Sequence, residues 1–143
     1  MNGPTIRRAE PRDLGPVNGL LQQVLTVHHH GRPDLFNATG KKYTFVYEKD
    51  GAVLGYAFCA LQHMGSGSLK DITTLYIDDL CVDERARGQH IGEALFKHVQ
   101  SFAAEKGCHN ITLHVWDCNP RARAFYDAMG LTPLYTSMEL ILQ

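Results

Sequence analysis

Residues 76–92 read Tyr76-Ile77-Asp78-Asp79-Leu80-Cys81-Val82-Asp83-Glu84-Arg85-Ala86-Arg87-Gly88-Gln89-His90-Ile91-Gly92, and the rest of the chain can be arranged around this run. Its first part is typical of a strand, and its second part is a basic, glycine-bearing loop that leads into a helical pattern. A helix N-terminus has unpaired N–H groups and a partial positive charge, so it binds anions such as phosphate. The run is therefore interpreted either as a phosphate site, to which Arg85 and Arg87 would add charge, or as an ordinary surface turn before a helix.

The apolar alternation of this strand changes phase at an acidic pair, Asp78 and Asp79. Ile77 follows one phase, whereas Leu80 and Val82 follow the other. A β-bulge at the pair would explain the change, although a central strand that is buried on both faces need not alternate. The two carboxylates are interpreted either as a general base or cation-binding site, or as solvated charges at a strand edge.

Before this run, the pattern predicts a strand, a helix and a hairpin. Residues 5–8 form a short opening strand, and apolar residues at helical spacing from 17 to 27 predict a first helix that ends near residues 28–33. One further helical turn is expected at residues 33–36. Strands at 42–47 and 52–61 flank the turn signal Asp50-Gly51, and a loop follows at residues 64–68.

After the run, two β-α-β units are expected. A helix from Ile91 stops at Lys106-Gly107, a buried strand follows at residues 111–116, and Asn119 begins a short helix that ends before Gly130. A last strand is expected at residues 133–142, and Trp116 is expected to pack in the core or, alternatively, to line the acceptor cleft with His114. The order predicts an α/β protein with a central mixed β-sheet flanked by helices, in a single domain over residues 1–143.

Composition narrows the class of protein. The chain has 143 residues, with 14 Lys and Arg against 15 Asp and Glu and a net charge of −1, so we expect no nucleic-acid or membrane partner. Its four cysteines have no metal or redox spacing and are expected to be reduced. The N-terminus has no leader pattern, so a cytoplasmic location is expected.

Consecutive histidines at His28-His29-His30 do not share one helix face, so no metal site is predicted.

Two motifs together resemble the signature of the GNAT superfamily of N-acetyltransferases. The first is Arg87-Gly88-x-x-Ile91-Gly92 after Leu80-x-Val82. The second is Asn119-x-x-Ala122-x-x-Phe125-Tyr126-x-x-Met129-Gly130-Leu131. The order of the predicted elements is also similar, so the resemblance covers the whole chain and implies the GNAT fold.

The resemblance implies acetyl-CoA as the donor and gives a role to each matched residue. Backbone groups of Leu80, Cys81 and Val82 would bind the pantetheine and the thioester carbonyl. Asn119 would contact the pantetheine arm or cap its helix, and Tyr126 would protonate the departing thiolate. The residues of the loop and helix start would bind the pyrophosphate: Arg87, Gly88, Gln89, His90, Ile91 and Gly92.

One position departs from the usual Arg-Gly-x-Gly-x-Gly pattern, because His90 stands where the second glycine is expected. Glycine allows a close backbone approach or unusual dihedral angles. Histidine at this position either adopts the required conformation or weakens the cofactor site.

The acidic pair also indicates the acceptor. Alkyl amines are mostly protonated near neutral pH, so Asp78 or Asp79 would remove a proton directly or through a water. The strand is similar to that of spermidine/spermine acetyltransferases, which favours a polyamine-like primary amine that attacks the thioester directly. Peptide N-termini, amino acids and aminoglycosides are alternative acceptors, and a non-catalytic acyl-CoA-binding regulatory module is the rival function. Dimers are frequent in this family, so a homodimer is also implied.

Overall fold

The structure is a computed structural model that describes residues 3–20, 41–64 and 71–143. They belong to two compact units, Met1–Leu113 and His114–Gln143. Several predictions fall outside the described residues: the first helix beyond residue 20, the extra turn at residues 33–36, and the loop predicted at residues 64–68 beyond its first residue.

The first unit contains a five-stranded mixed sheet in the order of the sequence. Its strands are β1 (Thr5–Arg8), β2 (Lys41–Lys49), β3 (Ala52–Met64), β4 (Ile72–Val82) and β5 (Asn110–Thr112). Neighbouring strands from β1 to β4 are antiparallel to one another, whereas β5 is parallel to β4. This confirms the predicted mixed sheet. The hairpin turn is confirmed too, because Asp50 and Gly51 have the positive φ angles, 52° and 78°, that a tight type I′ turn requires.

The predicted β-bulge is present in β4. Phe58 of β3 pairs with Asp79, but the next residue, Cys59, pairs with Ile77, so Asp78 is the extra residue. Because β4 has one residue more than β3 between these two pairs, the side-chain alternation of β4 changes phase at the bulge. The sequence pattern therefore reflects a real irregularity of the backbone, next to both carboxylates.

Helices cover the two faces of the sheet. Helix α1, residues 14–20 in the described part, contributes Val17 and Leu20 to a cluster with Val46, Tyr56 and Cys81 on one face. The opposite face carries Phe45, and helix α2 (Ile91–Glu105) packs there. Its buried side chains have helical spacing: Ile91, Leu95, Phe96, Val99, Phe102 and Ala103. The sheet is therefore the middle layer of the first unit.

Gly55 lets the start of α2 approach the sheet closely. A Cβ atom at Gly55 would lie 3.0 Å from the carbonyl oxygen of Cys81 and 3.0 Å from Cδ1 of Leu95. Gly55 pairs with Val82, the last residue of β4. Because Gly55 has no side chain, the first turns of α2 can pack against the end of β4, where the sequence predicts the phosphate site.

The second unit contains helix α3 (Pro120–Ala128), but the last strand predicted at residues 133–142 is wrong. A strand needs a neighbour for its backbone hydrogen bonds, and among the described strands none pairs with this segment. Strand β5 is also shorter than predicted and ends at Thr112. Trp116, which was expected in the core, lies beyond that end and is 67% exposed.

Neither a metal cluster nor a membrane-spanning helix occurs in the described ranges. No three His, Cys, Asp or Glu side chains there are grouped so that they could hold a metal ion. No helix there is long and apolar enough to cross a membrane. The His28-His29-His30 triplet falls outside these ranges.

Candidate functional site

The bulge lies where β4 loses its second neighbour. Strand β5 pairs with Thr74, Leu75 and Tyr76 only, so the ladder between β4 and β5 ends before the acidic pair. Apart from Asp78, residues 77–82 of β4 are paired with β3 on one edge, and none of the described strands pairs with their other edge. Backbone groups of residues 80–82 at that edge are therefore positioned to bind an extended ligand, as a neighbouring strand would.

A capped turn connects β4 to the basic loop. The buried Asp83 carboxylate accepts a hydrogen bond of 2.9 Å from the backbone N–H of Arg85, and the Arg85 guanidinium lies 3.4 Å away. The backbone bond first, and then the guanidinium, lower the pKa of Asp83 below its usual value. Because Asp83 offsets the charge of Arg85, Arg87 is the better source of positive charge for an anion at this loop.

The loop and the start of α2 have the geometry of an anion site. Gly88 has a φ of 84°, and His90 occupies the N-cap position of α2 with a φ of 60°. The His90 side chain makes no capping hydrogen bond. The first N–H groups of a helix have no partner within it, so they remain directed towards a ligand. The loop and helix start therefore have the backbone geometry of an anion site, and the His90 side chain makes no hydrogen bond that caps the helix.

His90 adopts the left-handed conformation that a glycine would adopt easily. Its φ and ψ are 60° and 26°. This region is unfavourable for residues with a Cβ atom, by about 1–2 kcal/mol. Its imidazole is exposed, and Nδ1 lies 3.4 Å from Oε2 of Glu93, a surface pair that contributes little stability. The backbone at His90 is therefore strained in a way that a glycine at the same position would not be.

We expect His90→Gly to increase the free energy of unfolding by about 1 kcal/mol, because it removes this strain. Urea denaturation measures the change. His90→Ala is the matched control, since it removes the imidazole but keeps the Cβ atom, and it should not stabilise the protein. Equal stabilisation by both variants would mean that the imidazole, not the backbone conformation, destabilises the loop.

A buried tyrosine contacts the acidic pair. Tyr56 of β3 is fully buried, and its hydroxyl donates a hydrogen bond of 2.6 Å to Oδ2 of Asp79. Burial is the largest cause of a strong rise in the pKa of Tyr56, and the charge of Asp79 adds to it. Tyr56 therefore stays a hydrogen-bond donor. This role of Tyr56 could not be predicted from the sequence, since an aromatic residue in a strand is typical of ordinary core packing.

The two thiols nearest the acidic pair are buried and protonated. Burial first, and then the charge of Asp79, raise the pKa of Cys81 to about 11. Burial first, and then the charge of Asp78, raise the pKa of Cys59 to about 12. Since the thiolate is the reactive form, neither cysteine is suited to act as a nucleophile near neutral pH.

Asn119 and Tyr126 lie in the second unit. Asn119 caps α3, because its Oδ1 accepts a hydrogen bond of 3.2 Å from the backbone N–H of Ala122. The capping alternative predicted for Asn119 is therefore confirmed. Tyr126 is half-buried in α3, and its ring contacts that of Phe125 at a centroid distance of 5.1 Å. The bulge, the β4 edge and the loop lie together in the first unit, whereas these two residues are described within the second.

Known proteins resemble this chain over most of its length. A model of the acetyltransferase (GNAT) family matches residues 17–131. Thialysine N-epsilon-acetyltransferase from Bos taurus is 40% identical over 131 residues, which cover 86% of this chain and 75% of that protein.

Two solved structures are also similar. A mutant of the BH1408 protein from Bacillus halodurans has a TM-score of 0.88 and 29% identity, over 97% of this chain and 99% of that one. Aminoglycoside N-acetyltransferase AAC(6')-Iy in complex with CoA has a TM-score of 0.77 and 17% identity, over 98% of this chain and 95% of that one. The second likeness concerns the fold alone.

Proposed function

Because the chain belongs to the GNAT family of acetyltransferases and is an acetyl-CoA-dependent N-acetyltransferase, we propose that its acceptor is a primary amine of a small, polyamine-like molecule. The observation that carries this proposal is the pair of adjacent carboxylates, Asp78 and Asp79, at the bulge of β4, the strand that leads into the basic loop before α2. A cationic amine is attracted to two carboxylates, and the loop fits the pyrophosphate of the donor. Both substrates would thus meet along β4.

In the proposed reaction, the acceptor must lose a proton before it attacks the thioester carbonyl. Aliphatic amines have pKa values of about 10, so most of the acceptor arrives as ammonium near neutral pH. The acidic pair, Asp78 and Asp79, would bind this ammonium and receive its proton, directly or through a water. Tyr126 would supply a proton to the departing thiolate. Each proton then has a named donor or acceptor.

We propose that the donor is held by backbone groups. Residues Leu80, Cys81 and Val82 would bond the pantetheine along the β4 edge that no described strand pairs with. The loop residues Arg87, Gly88, Gln89 and His90, with the helix start at Ile91 and Gly92, would bind the pyrophosphate. The positive φ angles and the helix N-terminus that this arrangement uses are already present in the structure.

Direct attack in a ternary complex is supported by the state of Cys81. A covalent acyl-enzyme would need a thiolate, but burial and the charge of Asp79 raise the pKa of Cys81 to about 11. Cys81 is 8% exposed and packs against α1 in the cluster with Val17 and Leu20. Its side chain therefore serves packing, while its backbone contributes to the site.

The acceptor is tested by thiol release from acetyl-CoA with a panel of amines. The panel holds spermidine, thialysine, free amino acids, an aminoglycoside and a peptide with a free N-terminus. Thialysine is included because the Bos taurus relative is named for it. The proposal expects the highest kcat/KM for a small aliphatic amine with a second cationic group. Preference for a peptide or an aminoglycoside would contradict it, and CoA binding without turnover would favour a regulatory module.

We also propose a homodimer, supported by apolar residues at the end of the chain. Several large side chains between residues 134 and 142 are 67–89% exposed: Leu134, Tyr135, Met138, Leu140, Ile141 and Leu142. Exposed apolar surface of this kind is typical of an interaction site. Light scattering after size-exclusion chromatography should give twice the 16.0 kDa mass of one chain. A monomer at working concentration would contradict the proposal.

We propose that residues 1–143 act as one domain. The family model spans residues 17–131 and so crosses the boundary between the two compact units. The residues with proposed chemical roles are also divided between the units. A single cooperative unfolding transition with coincident fluorescence and circular dichroism signals would support one domain.

We propose a cytoplasmic location, which the state of the cysteines supports. All four are free thiols, two of them buried. Free thiols are typical of proteins in reducing compartments. Fractionation of cells with a tagged full-length chain would test the location.

A further inference from the structure

The hydrogen bond between Tyr56 and Asp79 distinguishes the two members of the acidic pair. The Tyr56 hydroxyl is fully buried, and it lies 2.6 Å from Oδ2 of Asp79. Its short length is typical of a bond from a hydroxyl to a charged carboxylate. Asp78 is instead the extra residue of the bulge, where the ladder is interrupted. The two carboxylates are adjacent in sequence but are held by different local structures.

The tyrosine itself is held in place from two sides. Tyr56 pairs with Cys81, and its neighbour two residues on, Phe58, pairs with Asp79, so all four side chains lie on one face of the sheet. The ring of Phe58 stacks on that of Tyr56 at a centroid distance of 4.4 Å. Val46, Val17 and Leu20 belong to the cluster that buries Tyr56. A side chain enclosed in this way can orient its partner without moving.

We propose that Tyr56 is a positioning residue that fixes Asp79 as the carboxylate that binds the ammonium group of the acceptor, which leaves Asp78 to receive the proton. This assignment rests on the proposed function, because it divides two roles of the same site. Tyr56 would contact neither the amine nor acetyl-CoA and would act only through its hydrogen bond to Asp79.

The division of roles follows from the chemistry of the hydrogen bond. A hydrogen bond donated to a carboxylate stabilises its charged form, which suits a group that must remain an anion and attract a cation. Asp78 belongs to the bulge, where side chains are re-aimed relative to a regular strand. Cys81 lies on the same face: burial first, and then the charges of Asp79 and Asp83, raise its pKa, whereas the hydrogen bond with Tyr56 and the charge of Arg87 lower it.

The inference is tested with Tyr56→Phe, which removes the hydroxyl and keeps the ring. We expect the KM for the acceptor amine to rise about tenfold, since hydrogen bonds to charged groups are among the stronger ones. We expect kcat at saturating amine and the KM for acetyl-CoA to change less than about twofold. Tyr47→Phe is the matched control, because Tyr47 is a buried tyrosine of the adjacent strand β2, and it should change none of these values.

A double variant separates positioning from a general structural effect. If Tyr56 acts through Asp79, Tyr56→Phe combined with Asp79→Asn should raise the amine KM no further than Asp79→Asn alone. Multiplied effects in the double variant, or an unchanged amine KM in Tyr56→Phe, would overturn the inference. Thermal unfolding of each variant identifies loss of fold, and a fall in kcat that matches a lost folded fraction would also count against positioning. Failure of the proposed function is a different outcome, because the wild-type protein would then acetylate no small amine.

Discussion

Replacing Tyr126 by phenylalanine is expected to lower kcat by about 10²–10⁴-fold, the range that general acid catalysis contributes. The thiolate of CoA must be protonated as it leaves, and the variant has no phenol to supply the proton. The substitution keeps the ring, which contacts Phe125 in α3, so the helix should keep its structure. Calorimetric titration with CoA should give an unchanged dissociation constant, while steady-state turnover falls.

The matched control for this prediction is Tyr135→Phe. Tyr135 lies in the same unit, is 68% exposed, and its hydroxyl is 2.8 Å from Nε2 of His114. We expect turnover to stay within about twofold in this control, because a surface hydrogen bond contributes little. Tyr126→Phe with wild-type kcat would remove Tyr126 from the mechanism and would suggest that water protonates the thiolate.

The second large effect is expected for Asp78→Asn, with a fall in kcat of about 10²–10⁴-fold near neutral pH. The amide cannot accept the proton of the acceptor ammonium. The defect should shrink as the pH approaches about 10, since the acceptor then arrives increasingly as the neutral amine. A profile of kcat against pH for the wild type and the variant, with spermidine as the acceptor, measures this change.

Asp79→Asn provides the comparison for Asp78→Asn, because it removes the neighbouring charge and keeps the bulge sequence otherwise intact. Its main effect should be a higher amine KM rather than a lower kcat. If Asp79→Asn instead lowers kcat and Asp78→Asn raises the amine KM, the roles of the two carboxylates are reversed. A pH-independent defect in Asp78→Asn would contradict proton transfer as its role.

Much of the first unit could be predicted because its signals are local. The strand predicted in the first part of residues 76–92 is present, as the end of β4 at Ile72–Val82. The Asp50-Gly51 turn and the helix end at Gly107, with a φ of 73°, follow from the dihedral angles that glycine allows. The bulge was predicted because an extra residue changes the alternation of a buried strand, and this change is visible in the sequence.

The errors lie where the outcome depends on distant partners. Residues 133–142 have an apolar composition typical of a strand, but no described strand pairs with them. Trp116 has a large aromatic side chain of the kind that usually packs in a core. It lies beyond the end of β5 at Thr112, however, and its side chain is exposed. The amino-acid composition of a segment indicates its tendency to be buried or to form a strand. Whether it does so depends on a neighbouring strand or packing surface from another part of the chain.

By itself, the sequence determined the family, the mixed sheet, the bulge and the basic loop before α2, because each depends on residues that are close in the chain. It also identified His90 as the exceptional residue of that loop. Only the tertiary structure decided that His90 takes a left-handed conformation, and that Tyr56 reaches Asp79 across 23 positions of sequence. The register of β3 against β4 brings these two residues together, and register arises when the strands pair.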